Sequence, residues 1–421
     1  MRARQAPRVS IAGGVRRAIL YAGKQALKTT ATPILAVARA PGLFGLARGS
    51  IHADEALAYY DRKGGVRALQ LDLSEPPRAL RTLQPSDPIP PTRPVTTVLT
   101  MLDGVQGTFA FCNNHVVDDR GWVVLERVTN EDGKSLPFRD LHVGRAPLET
   151  PRRVAGSVAY LSNSGVGNFG HWLVFTFPLV RYYREYLGDD PDFYYVGTPI
   201  HEWHYDSLAA LGIEADRILT DAVVGDRMLF ACADNHLPAP TQFLDFSTET
   251  LRLPYDSSVP KRRIYISRAL RPLRRLLNEE ACLEVLAQHD FQPYRTENLT
   301  LSEELELFAN AEAVVAVCGA GLANLLFCHP RCVAIELFPH GFVTPWFDTS
   351  WFSEVSAVRD ITYGTLYGEP TRNWGVRPRD YDTLVDLDKL DAILGAATIA
   401  GAEYQRSPAR DADQSRSAHA R

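Results

Sequence analysis

Arg268, Arg271, Arg274 and Arg275 fall within eight residues, directly after the apolar run Ile264-Tyr265-Ile266. Guanidinium forks match the oxygens of phosphate and diphosphate groups. Such a stretch can hold an anionic ligand, and it can equally be a solvated face. Its position favours binding, because open α/β sheets take ligands at the carboxyl ends of their strands. Further along, Gly319-Ala320-Gly321-Leu322-Ala323-Asn324 follows the apolar run Ala313–Val317 and opens a helical segment through Phe327. Glycine lets backbone come close to a phosphate, and the N–H groups that open a helix carry partial positive charge. The third glycine of a dinucleotide fingerprint is missing. The turn alone therefore fits tight strand–helix packing as well as phosphate binding. Glu336 ends a third apolar run, Val333–Leu337, where a carboxylate can accept ribose hydroxyls or serve structure.

In the first half, Asn168-Phe169-Gly170-His171-Trp172 opens a helical stretch. A neutral imidazole there can act as base toward a hydroxyl, although single histidines are more often structural. No metal ligand set is expected. His201-Glu202-Trp203-His204 is one residue short of HExxH, so its histidines miss the i, i+4 zinc spacing. Asp190-Pro191-Asp192 has an Asp-x-Asp pattern, but Asp386-Leu387-Asp388 and Asp411-Ala412-Asp413 match equally well. Cys328 and Cys332 fit neither CxxC nor CxxCH.

Alternating elements position these groups. Helical patterns at His171–Tyr186 and Trp203–Leu211 are interleaved with strand patterns at Phe193–Val196, Arg217–Leu219 and Met228–Ala231, which argues for βαβ units. Lys261–Phe338 repeats the theme: a helix over Glu279–His289, a strand over Phe291–Tyr294, and a capping box at Thr300–Glu303 opening a helix to Ala311. Two such halves join near Pro254–Pro260. Pro85, Pro88, Pro90, Pro91 and Pro94 make 84–95 a linker or edge passage.

The chain has 421 residues and a formal net charge of -5, long enough for two cores. Residues 1–50 carry seven Arg, two Lys and no acid, +9, so the remainder carries -5 - 9 = -14. An acidic body does not fit a nucleic-acid reader. The basic arm is a flexible tail or a piece resting on an anionic membrane. No run reaches the roughly 18 apolar residues of a transmembrane helix. Six scattered cysteines favour a reduced, cytosolic setting. The expected organisation is a basic arm and Pro-rich linker over 1–94, an α/β domain over 95–257, a second, Rossmann-like α/β domain over 258–395 and a disordered tail over 396–421.

Three blocks in this order resemble the family 61 glycosyltransferases: Asn168–Leu173 with Pro178; Arg263–Arg268 through Arg275 to Asn278-Glu279; and Gly319–Phe327 closing on Ile335–Pro339. The resemblance spans about 95–395. It implies two Rossmann-like domains facing a cleft (a GT-B fold), inversion, no obligatory metal or other cofactor, a UDP-sugar donor and a glycan or glycolipid acceptor. It makes Arg268, Arg275, Asn278, Gly319, Ala320, Gly321, Leu322, Asn324 and Glu336 expected donor contacts. His171 becomes the first candidate base and Glu279 the second. Cys318 stands where the family usually has His, and Phe175 where Asp often follows the His-Trp block. These two departures keep a non-catalytic nucleotide-sugar binder or polysaccharide-assembly scaffold as the alternative. An NAD-dependent oxidoreductase is the other, disfavoured by the missing glycine.

Overall fold

The computed structural model describes residues 49–52, 58–60, 62–125, 150–163, 165–233, 238–252, 262–330, 332–339, 351–371 and 380–406. The basic arm up to residue 48 and the joint at Pro254–Pro260 lie outside them. The described residues form a mixed α/β structure with three sheets.

In the sheet that carries the arginine stretch, parallel strands run in the order Phe291–Tyr294, Arg262–Ile266, Ala311–Val317, Val333–Pro339, Thr362–Thr371. In chain order this is 2-1-3-4-5, and its direction reverses between Arg262–Ile266 and Ala311–Val317. A crevice opens at such a switch point, outside the carboxyl ends of the two strands. Arg268 and Gly319 follow those two strands. Buried Val and Ile make the central strands apolar on both faces, as parallel sheets require.

The first-half sheet contains Ile218–Leu219, Phe193–Tyr195, Ser157–Tyr160 and Arg227–Ala233 as parallel neighbours, order 3-2-1-4. It is extended by antiparallel Val98–Val105 and Val66–Asp72. The expected βαβ pattern is thus only part of it. Strand Arg227–Ala233 pairs on its other side with Val98–Val105, an antiparallel contact that alternation along the chain could not announce. A third sheet, of short strands, includes Phe109–Cys112, His115–Asp118 and Trp122–Leu125.

The proline-rich passage is an edge. Arg81–Thr82 pairs parallel with Thr362–Tyr363, and the Asp87 amide donates to the Thr365 carbonyl at 2.9 Å. Proline tolerates an edge because it has no ladder donor to lose. Residues assigned to the arm and linker contribute strands to all three sheets. At the other end, helix Leu387–Arg406 continues past Gly395, where the domain was expected to stop. One buried cluster, including Trp172, Phe243, Ile264, Leu322 and Tyr363, runs between the halves.

Candidate active site

The loop after Arg262–Ile266 is fastened at both ends. At its start, the Ser267 amide donates to the Tyr294 carbonyl at 2.9 Å, while Ser267 Oγ and Tyr265 Oη donate to Glu279 Oε1 at 2.7 and 2.8 Å. At its end, the Arg275 guanidinium donates to buried Asp382 Oδ2 at 2.6 and 3.1 Å, and the Arg275 amide to Oδ1 at 2.9 Å. The Leu277 amide donates to the Thr383 carbonyl at 2.8 Å and the Thr383 amide to the Arg275 carbonyl at 2.9 Å, and Asn278 brackets the Val385 backbone at 2.7 and 3.1 Å. The loop between is held in shape by the protein.

Arg268 projects from this loop over the turn at Gly319. A Cβ at 319 would collide with Arg268 Nη1 and lie 3.0 Å from Cζ; only glycine permits this approach. Arg268 Nη2 donates to the Leu273 carbonyl at 3.3 Å, and its buried Nε has no hydrogen-bond partner among the described residues. No carboxylate among those residues pairs with it. Burial, then Arg274 and Arg271, pull its pKa down to about 10, and it remains a cation at neutral pH. Arg271 is paired with Glu297 at 2.5 Å, while Arg274 stands 4.0 Å from Asp380 and donates to Cys318 Sγ at 3.8 Å. A half-buried cation with an orphan donor and two cationic neighbours can receive an anion.

Residues Ala320–Phe327 form the expected helical segment, as a 3₁₀ helix. Its Ala320–Ala323 side receives the Phe169–His171 turn: a Cβ on Gly170 would lie 3.6 Å from the Ala320 carbonyl and from Ala323 Cβ. The two blocks from opposite halves therefore meet. Asn168 caps the turn through His171 N–H at 3.3 Å, and Trp172–Thr176 widens into a π-helical turn closed by Phe177 N–H on the Trp172 carbonyl at 2.8 Å. Pro178, without an N–H, cannot continue the ladder. The widened turn sends Trp172 inward, where its Nε1 donates to Ser207 Oγ at 2.9 Å. His171 sits edge-on to Trp351 with ring centres 4.6 Å apart, and Phe175 meets the same Trp351 at 5.0 Å.

Residues 169–335 match the model of the family described as Glycosyltransferase 61. Over these residues the chain is similar to the family 61 glycosyltransferases. A 127-residue segment, 29% of the chain, is 29% identical to the EGF domain-specific O-linked N-acetylglucosamine transferase of Drosophila melanogaster. The match covers 23% of that protein's length.

Within the matched region, the structure sets Arg268 over Gly319 and the Phe169–His171 turn against Ala320–Ala323. Several expected contacts are otherwise engaged. Arg275 and Asn278 are fastened to Asp382 and Val385, so Arg274 is the guanidinium left beside Arg268. Glu279 Oε1 accepts from Tyr265 and Ser267. Glu336 is fully buried and takes the Tyr363 hydroxyl, out of reach of a ribose. The Leu322 amide is closed onto the Gly319 carbonyl at 3.0 Å and its side chain is in the core. Asn324 is fully buried, its Nδ2 donating to Glu304 Oε2 at 2.6 Å and to the Gly321 carbonyl at 3.2 Å.

Cys318 is buried, its thiol pushed well above the usual range by burial and then by Glu336, and it remains a neutral thiol. All six cysteines are buried and none is in a disulfide. No helix among the described residues is long and apolar enough to cross a membrane. Sequence reasoning missed Asp382, Trp351 and Glu304. Asp382 and Trp351 lie far along the chain from the groups they hold, and Glu304 was read only as part of a helix.

Proposed function

We propose that the chain transfers a sugar from a UDP-sugar to a hydroxyl of a glycan or glycolipid, with inversion and without a metal ion, in cell-surface polysaccharide synthesis. The observation that carries this reading is the unpaired Arg268 guanidinium laid over Gly319 at the switch point of a parallel sheet. The acceptor oxygen forms a bond to the anomeric carbon as the bond from that carbon to the diphosphate breaks. The electron pair leaves on the β-phosphate of UDP, and the acceptor proton passes to a base. Arg268, Arg274 and the amides that open the 3₁₀ helix stabilise the charge that develops on the diphosphate. His171, against the other side of that helix, is the base.

This reading has a GT-B arrangement, with residues 95–257 on the acceptor side and 258–395 on the donor side. The enzyme works in the cytoplasm, with residues 1–50 drawn to the anionic inner face of the membrane. The Drosophila relative is named for N-acetylglucosamine transfer, so UDP-N-acetylglucosamine heads the donor panel. The test is release of UDP from a panel of UDP-sugars by the full chain, with and without chelator. Release that persists in chelator and disappears in Arg268→Ala is expected. Equal release by Arg268→Ala, or none from any UDP-sugar, overturns the reading.

A further inference from the structure

The carboxyl of Glu304 reaches the Gly319–Gly321 turn through one buried side chain. Helix Leu301–Ala309 packs on the 3₁₀ helix, and Glu304 Oε2 accepts from Asn324 Nδ2 at 2.6 Å. The same Nδ2 donates to the Gly321 carbonyl at 3.2 Å, while buried Asn324 Oδ1 has no partner among the described residues. Asn324 is thus oriented entirely from its Nδ2 side, between a carboxylate and the backbone of the turn. Behind Gly321 stand Ile266 and Thr296, each 3.7 Å from where a Cβ would sit.

We propose that Glu304 is a positioning residue for the donor diphosphate: through the Asn324 amide it fixes the backbone of the Gly319–Gly321 turn. The inference rests on the proposed function for the ligand it names, but the linkage itself is a property of the fold.

Ionised Glu304 accepts only, so it demands the observed orientation of the amide. Protonated Glu304 can donate, and it then tolerates the reversed amide. Reversal sets Asn324 Oδ1 against the Gly321 carbonyl, two acceptors that repel, and loosens the turn. Burial raises the Glu304 pKa to about 7; Asn324 opposes the shift, Glu297 adds to it and Arg271 reduces it. The other groups around it are committed. Arg271 and Glu297 pair with each other. On helix Glu202–Ala209, which packs against this helix, Glu202 and Asp206 face solvent. His204 is buried there with its ring nitrogens on Val166 and His201 backbone, its pKa pulled down to about 4 mainly by burial. Glu312, on the neighbouring strand, pairs with Arg263 at 2.5 Å. On its own helix Glu303 closes the capping box and Glu306 is exposed. Glu304 is the group whose protonation reaches the turn.

The experiment is hydrogen exchange of the peptide spanning 319–327, corrected for intrinsic rates, in the full chain between pH 5.5 and 8.5. Wild type is expected to gain several-fold protection as pH rises through about 7. Glu304→Gln, which keeps a polar partner but cannot ionise, is expected to give a flat profile. Protection in wild type that is flat across this range, or a pH step that survives in Glu304→Gln, overturns the proposal. Both outcomes are read without UDP, so a chain inactive on every UDP-sugar would remove the proposed function and leave this linkage standing or falling by itself. With an active donor, the KM for that donor should fall several-fold between pH 6 and 8 in wild type and not in Glu304→Gln, with kcat little changed. A KM that follows pH identically in both proteins also overturns it.

Discussion

The two faces that meet at the 3₁₀ helix are built from opposite materials. On one side the loop from Ser267 to Asn278 is fastened by hydrogen bonds and an ion pair, and it exposes guanidinium groups to the site. On the other, Phe169–Thr176 is held by burial of Trp172 and by ring contacts of His171 and Phe175 with Trp351. A charged ligand needs cations whose positions do not relax when it arrives, and salt-bridged loops provide that. A neutral hydroxyl acceptor needs shape and one proton-accepting group. On the proposed function, leaving-group chemistry belongs to the first face and acceptor chemistry to the second.

The largest effect should come from the charged face. Arg268→Ala is expected to lower kcat/KM for the donor by roughly 10²–10³-fold, with UDP affinity falling at least tenfold in calorimetry and little change in Tm. If UDP affinity stays at the wild-type value, the charged face has been misassigned. His171→Gln should lower kcat by roughly 10²-fold while leaving UDP affinity intact. Loss of UDP binding in that variant would erase the division between the faces. Asp382→Ala removes the carboxylate that holds the loop and should cost about 2 kcal/mol in chemical denaturation, below a fully buried pair because Arg275 is partly solvated. An unchanged denaturation midpoint would show that the fastening is ornamental.

The smallest effect concerns pH. The Glu304 carboxyl is raised from 4.5 to about 7. The unfolded chain therefore releases this proton near pH 4.5, and the folded chain keeps it to about 7. The stability this group contributes is whole below pH 4.5 and is lost by the time pH passes about 7. Glu304→Gln should lack that decline, so its Tm relative to wild type should rise between pH 5 and 8. A Tm difference independent of pH would contradict the raised carboxyl.

Much of the charged face was legible in the chain. Arg268 and Gly319 each follow a short apolar run, as read; the run Phe291–Tyr294 lies between these two in the chain, so their juxtaposition comes from the reversal of strand order rather than from consecutive βαβ units. The capping box at Thr300–Glu303 and the strand Phe291–Tyr294 are local signals and appear as read. What separates Arg275 from Arg268 was not legible. Both are arginines in one loop, and only a partner 107 residues away decides which is held and which is offered. Glu336 was misjudged for the same reason: its position at a strand end is local, but the Tyr363 hydroxyl and the packing that seals it are not. The 3₁₀ geometry of Ala320–Phe327 has the composition of an α-helix and is set by the elements packed around it.

The edge formed by the proline-rich passage also constrains how the molecule is assembled during synthesis. Ser86 and Thr365, which share a hydrogen bond, are 279 residues apart. At about 5–20 residues per second, roughly 15–60 s of translation separates them. Over that interval the early segment has no strand to join, and its prolines, poor at pairing with the wrong neighbour, keep it available until the last sheet is made.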